Sequence, residues 1–114
     1  MTTQLPEIDL ADLPPDVALL DVREDDEWDE AHIAGALHIP MRLLPNRLQY
    51  EPDTIDRDAA VVVVCHSGNR SAHVTAWLVQ QGYDAYNLRG GMLGWATAGR
   101  AMVTGGTTPP ESVA

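Results

Sequence analysis

The 114-residue sequence has little positive charge and few groups for covalent chemistry. It contains seven arginines, no lysine and 17 acidic residues, which gives a formal net charge of −10. The missing lysine excludes Schiff-base chemistry and a Walker-type phosphate loop, and the acidic balance argues against nucleic acid as a partner. A single cysteine, Cys65, cannot form an internal disulfide, which favours a reducing, cytoplasmic setting.

Long apolar runs and repeats are also missing. No stretch approaches the 18 apolar residues of a membrane span, so we expect no membrane partner. The first ten residues lack the basic and apolar regions of a signal peptide. The length suits one domain, which we place at residues 1–104, and the Gly- and Pro-containing residues 105–114 are expected to form a flexible tail.

Strand patterns alternate with helix patterns along the domain. Strands are predicted at residues 7–9, 17–21, 36–39, 60–64 and 85–88. Helices are predicted at residues 24–31, 41–48 (broken around Pro45), 69–81 (ended by Gly82) and 92–98, with a helical turn at 10–13 and a loop at 50–58. The order indicates an α/β fold with a mainly parallel sheet and helices on both faces.

The most informative segment joins the fourth predicted strand to the third helix. Four consecutive valines read as a strand buried on both faces, and they lead directly into Cys65. The loop that follows contains Gly68 and opens a helix, where backbone N–H groups and the helix dipole favour an anion. The carboxyl end of a parallel strand is also where open α/β sheets bind ligands. We therefore predict that Cys65 reacts as a thiolate.

The loop residues suggest roles around that sulfur. Arg70 is poorly placed for the helix dipole, so it is predicted to hold an anion, although a solvated side chain is the alternative. Gly68 would let the loop curl into a nest of N–H groups. Ser67 and Ser71 would donate hydroxyl hydrogen bonds, or Ser71 would cap the helix. Two further residues complete the predicted binding loop. The side chain of His66 is expected to be exposed and to shape the entrance, and Asn69 precedes Arg70.

Polar residues elsewhere have simpler interpretations. Asp21 and Arg23 close the second strand, where they would either brace the cysteine loop or form a local ion pair. The acidic block at residues 24–30, within the predicted helix at 24–31, is interpreted as a solvated face, with a docking face for a basic partner as the alternative. The histidines outside the loop show no metal-ligand spacing, so we expect neither a metal nor a cofactor.

Five segments in this order resemble the rhodanese family of sulfurtransferases across about residues 5–100. They are LDVRE with Glu27-Trp28, HIAGALHIP at 32–40, CHSGNRS at 65–71, Leu78 with Gly82-Tyr83, and LRGGM at 88–92 with Trp95. The resemblance implies a five-stranded sheet, a catalytic Cys65 and an anion-binding loop at residues 65–70. It further implies a single-domain thiosulfate sulfurtransferase, in which Cys65 accepts sulfur as a persulfide and passes it to cyanide or a thiol.

Two alternatives use the same cysteine. A sulfur carrier would receive persulfide sulfur from one protein and deliver it to another with the same residues. A cysteine phosphatase or arsenate reductase would place five residues between the cysteine and the arginine, whereas this chain has four, His66 to Asn69. The shorter loop suits a single sulfur better than a tetrahedral phosphate, so we expect phosphate esters to be excluded.

Overall fold

The computed structural model describes residues 5–105, so most of the predicted tail, residues 106–114, lies outside the described part. Five parallel strands form one sheet in the order β1-β5-β4-β2-β3. The strands are β1 (Glu7–Ile8), β2 (Ala18–Asp21), β3 (Leu37–His38), β4 (Val61–Val64) and β5 (Ala85–Leu88). The helices are α1 (Asp25–Glu30), α2 (Leu44–Tyr50), α3 (Asn69–Gln80) and α4 (Gly91–Thr97). The predicted α/β fold is confirmed.

The valine run explains why β4 lies at the centre of the sheet. All four valines are buried, and successive side chains point to opposite faces. Val61 and Val63 pack with residues of α2 and α3 on one face, and Val62 and Val64 pack with residues of α4 on the other. Because both faces of β4 are covered by apolar side chains, a continuous β-branched run is stable there.

The region around Pro45 differs from the prediction. A short 3-10 helix at Met41–Leu43 passes directly into α2, and Pro45 lies in the first turn of α2 instead of breaking a helix. Proline is tolerated in a first turn because its missing N–H has no helical partner there. A further 3-10 turn at Pro52–Thr54 lies in the predicted loop.

The order of the strands determines where a binding crevice can form at the edge of the sheet. From β2 the chain moves outward to β3 and then returns to β4 on the other side of β2. The carboxyl ends of β2 and β4 therefore flank the point where the chain reverses direction across the sheet, which is where such folds form a crevice. Within residues 5–105, no helix is long and apolar enough to cross a membrane.

Candidate active site

Cys65 directly follows β4 and its side chain is buried, with 1% of the residue exposed. Its sulfur accepts hydrogen bonds from the loop and from the start of α3. The N–H of Gly68 lies 3.1 Å from Sγ, and the hydroxyl oxygen of Ser71 lies 3.2 Å from it. The sulfur is thus enclosed by donors from the loop and from the first turn of α3, an arrangement that stabilises negative charge.

Opposing effects act on the thiol. Burial raises the pKa of Cys65, whereas the Ser71 hydroxyl and backbone N–H groups of Ser71, Gly68 and Ser67 lower it. The hydrogen bonds outweigh burial, so the pKa of the thiol lies below its ordinary value. These donors favour the thiolate because each interacts more strongly with a charged sulfur than with a neutral one.

Glycines hold the loop in its curled form. Gly68 has a φ of +107°, in the left-handed region that glycine adopts without strain. Gly91 faces the other side of the loop, where an added Cβ would come within 2.4 Å of the Cys65 carbonyl oxygen. Contact this close is possible only without a side chain. It lets the N–H groups of Met92 and Leu93, at the start of α4, donate to the carbonyls of Cys65 and His66.

Arg70 lies at the same helix start but points its guanidinium at α1. Its Nη1 and Nη2 atoms donate to the two carboxylate oxygens of Glu27 at 2.7 and 2.9 Å. Both side chains are about one-third exposed. The hydrogen bonds from Arg70 hold the pKa of Glu27 down to about 2, and Glu27 in turn raises the pKa of Arg70. The sequence reasoning missed Glu27 as the partner of this arginine.

Asp21 and Arg23 form a buried ion pair, with Arg23 Nη2 2.8 Å from Asp21 Oδ2. Arg23 also donates to the carbonyl oxygens of Glu27 and Ala31, at the end of α1. In the described part of the chain, the hydrogen bonds found for these two side chains do not reach residues 65–71. Of the two interpretations, the local ion pair therefore agrees with the structure. The hydrogen bonds of Arg23 also attach this pair to α1, the helix that carries Glu27.

A cavity next to the cysteine loop is mixed in character. It has a volume of about 380 Å³ and is lined on one side by Arg23, Glu27 and Glu30 and on the other by apolar residues of α4. The exposed side chain of His66 also lines it. Two other histidines are structural, because His32 and His38 each stack on the ring of Trp28 with nearly parallel planes. Among the described residues, no cluster of three or more metal-ligating side chains is found.

A second residue absent from the sequence reasoning is Asn87 on β5. It is buried and its Oδ1 accepts a hydrogen bond from Ser71 at 2.5 Å. A polar residue within a buried strand is a signal that could have drawn attention to it. Together, sheet and loop define an α/β protein whose cysteine sulfur lies at the end of a central strand and accepts hydrogen bonds from a curled loop.

Comparison with known proteins identifies the family. The model of the rhodanese-like domain matches residues 8–98, and the chain belongs to the rhodanese family. A sulfurtransferase of Allochromatium vinosum is 45% identical over 89 residues, covering 77% of this chain and 79% of the relative. The thiosulfate sulfurtransferase GlpE of Coxiella burnetii is 38% identical over 81 residues, covering 70% of this chain and 72% of the relative.

A solved structure agrees with the fold. The rhodanese-related protein of Thermoplasma volcanium superposes with a TM-score of 0.74 at 32% identity, covering 86% of this chain and 97% of that protein. The family and its relatives support a transferase of the rhodanese type, with sulfur transfer as the general activity.

Proposed function

We propose that this protein transfers sulfane sulfur through a persulfide on Cys65, from thiosulfate or a persulfide donor to a thiophilic acceptor such as cyanide or a thiol. The observation that carries the proposal is the placement of Sγ at the end of β4, where Gly68 and Ser71 donate to it. The name of the GlpE relative supports thiosulfate as one donor.

The reaction has two steps. The Cys65 thiolate attacks the outer sulfur of thiosulfate, the sulfur–sulfur bond of thiosulfate breaks, and sulfite leaves with the bonding electron pair. The acceptor then attacks the outer sulfur of the persulfide, and its bond to Cys65 breaks to restore the thiolate. Sulfite is a good leaving group, so the step requires preorganised donors for sulfur anions and does not require a general acid.

Arg70 supplies a cation whose charge interacts with that of Cys65. A guanidinium has five N–H donors, and the contact with Glu27 uses two of them, leaving three for an anion. We infer that Arg70 stabilises the anionic donor, and that this donor competes with the Glu27 carboxylate for the guanidinium. The other loop residues, His66, Ser67 and Asn69, are exposed, and we propose that they border the path to the sulfur.

Intact-mass measurement tests the role of Cys65. After incubation with thiosulfate, the mass of the wild-type protein should rise by one sulfur atom, and cyanide should reverse the gain and produce thiocyanate. The Cys65→Ser variant should do neither, and its far-ultraviolet circular dichroism spectrum should match the wild type. Sulfur uptake by this variant would contradict the assignment.

The role of Arg70 is tested against a matched arginine. Arg70→Ala should lose about 10- to 150-fold in kcat/KM with thiosulfate, the effect of one charge-assisted contact. Arg42→Ala is the control, because Arg42 also pairs with a glutamate next to α1, Glu24, but is exposed. A lower Tm of Arg70→Ala with unchanged kinetics would make Arg70 structural.

Donor kinetics separate an enzyme from a sulfur carrier. The carrier would accept sulfur from a persulfide-bearing protein much faster than from thiosulfate, so kcat/KM should be compared for thiosulfate and a small-molecule persulfide. A phosphatase would hydrolyse aryl phosphates, which the four-residue gap should prevent. Measurable aryl phosphatase activity in the unmodified protein would contradict the argument from loop size.

A further inference from the structure

Asn87 connects the cysteine loop to the edge of the sheet. Its side chain is buried, with 2% of the residue exposed, and it makes three hydrogen bonds. Oδ1 accepts from the Ser71 hydroxyl at 2.5 Å, and Nδ2 donates to Glu7 Oε2 at 3.0 Å and to the carbonyl oxygen of Gly68 at 3.3 Å. The chain of contacts therefore runs from β1 through β5 to the reactive sulfur.

The neighbours of Asn87 determine which way its amide points. A carboxylate and a carbonyl only accept hydrogen bonds, so the NH₂ group must face Glu7 and Gly68. The opposite orientation would bring the amide oxygen against the Glu7 carboxylate. The amide oxygen consequently faces Ser71, and Glu7 is the strongest of the groups that keep it there.

Ser71 has one hydroxyl proton and two acceptors within reach. The sulfur of Cys65 lies 3.2 Å from the hydroxyl oxygen, and Asn87 Oδ1 lies 2.5 Å from it on β5. A single O–H cannot point at both acceptors. When Cys65 is a thiol, its S–H can donate to Ser71 while Ser71 donates to Asn87. When Cys65 is a thiolate, Ser71 must turn its proton to the sulfur.

We propose that Glu7 and Asn87 are positioning residues that control whether Ser71 donates its hydroxyl proton to Cys65. The Asn87 oxygen competes with the sulfur for that proton. Glu7 keeps this oxygen facing Ser71 because it accepts a hydrogen bond from the NH₂ group of the same amide. On ionisation the S–H proton leaves to water, and the Ser71 hydroxyl rotates from Asn87 to the sulfur. The pair thereby sets how readily the thiolate forms.

Other charged or titratable groups lie near the cysteine loop and must be held constant. Arg70 approaches from α3 with Glu27 of α1 paired to it, and His66 lies in the loop. Glu7 itself is shared, because its other carboxylate oxygen accepts from Arg89 at 3.2 Å. A test of the proposal must therefore separate the charge of Glu7 from its hydrogen bond to Asn87.

Two substitutions of Glu7 make that separation. Glu7→Gln removes the charge but keeps a side-chain oxygen that can accept from Asn87. Glu7→Ala removes both and leaves only the Gly68 carbonyl to hold the amide. The amide should then rotate more readily and donate to Ser71, which releases the hydroxyl proton for the sulfur. The thiol pKa is measured by thiolate absorbance near 240 nm and by the pH dependence of alkylation. Glu7 lies on the edge strand with its side chain one-third exposed, so both variants should fold.

The expected result is a lower thiol pKa in Glu7→Ala than in Glu7→Gln. The thiolate should be favoured by about three- to tenfold, the effect of one hydrogen bond. The difference should vanish in a Ser71→Ala background, where no hydroxyl remains. Equal pKa values in the two Glu7 variants, or a difference that persists without the Ser71 hydroxyl, would overturn the proposal.

A measurement on the wild-type protein tests the same proposal without depending on the folding of a variant. The side-chain amide resonances of Asn87 in a ¹⁵N NMR spectrum should shift at the same midpoint as the Cys65 thiol, and no shift would overturn the proposal. The inference rests on Cys65 as the reacting group of the proposed function. The positioning role of Glu7 and Asn87 is measured by the titration of the thiol, whereas the proposed function is measured by sulfur transfer. Either proposal can therefore fail while the other is supported.

Discussion

Replacing Glu27 by glutamine tests whether this carboxylate competes with the substrate for Arg70. The Glu27 carboxylate has a pKa of about 2, so it is charged at neutral pH and occupies two of the donors that an anionic substrate would use. Glu27→Gln keeps the size of the side chain but removes its charge. We expect thiosulfate to bind more tightly to this variant.

The magnitude follows from the exposure of the pair. Both side chains are about one-third exposed, so solvent screens the interaction and the pair contributes about 0–1 kcal/mol. An energy of ~1 kcal/mol corresponds to about a fivefold change. The value of kcat/KM with thiosulfate should therefore rise about two- to fivefold, mainly through a lower KM.

Glu30→Gln is the matched control for steady-state kinetics at fixed ionic strength. Glu30 lies on the same helix as Glu27, lines the same cavity beside His66 and is exposed, so it reports the general effect of removing one negative charge there. A larger increase of kcat/KM in Glu27→Gln than in Glu30→Gln would support competition between Glu27 and thiosulfate for Arg70. A loss of tenfold or more would refute it, because Glu27 would then be needed to hold Arg70 in place.

Three further results are expected. Ser71→Ala should raise the pKa of the Cys65 thiol toward its ordinary value of about 8.5, because one of the donors that lower it is removed, and a titration of thiolate absorbance that shows no rise would contradict this. Gly91→Ala should lower stability by more than about 2 kcal/mol, since its Cβ would clash with the Cys65 carbonyl at a φ of +53°. Gly99→Ala is the control, because Gly99 has a φ of +74° but no atom near an added Cβ, and it should lower the free energy of unfolding by about 1–2 kcal/mol. Equal free energies of unfolding in urea for Gly91→Ala and Gly99→Ala would rule out the clash. Because the pKa of Glu27 is lowered from 4.5 to about 2, its contribution to stability is full above pH 4.5 and is lost as the pH falls toward 2. After discounting for exposure, the wild type should lose up to about 1 kcal/mol more stability than Glu27→Gln between pH 6 and pH 2.5, and parallel pH profiles of the two proteins would argue against the pair.

The amino-acid sequence determined the parts of this protein that depend on local pattern. The valine run predicted a strand buried on both faces, and β4 is that strand at the centre of the sheet. Gly68 predicted a turn that curls toward the cysteine, and its φ of +107° agrees. Such predictions succeed because side-chain period and turn geometry act over a few residues. The interpretation of Pro45 as a helix break was wrong, because a first turn accommodates proline.

Only the tertiary structure decided which distant side chains meet around Cys65. Arg70 meets Glu27, 43 residues away, because α1 and α3 follow neighbouring strands at the same edge of the sheet. Asn87 meets Glu7, 80 residues away, because β1 pairs with β5 in a register that places these residues side by side. Residue types and spacing do not specify strand order or register. Those depend on how the whole chain buries its apolar faces, and here that packing also determines the hydrogen-bond partners of the reactive sulfur.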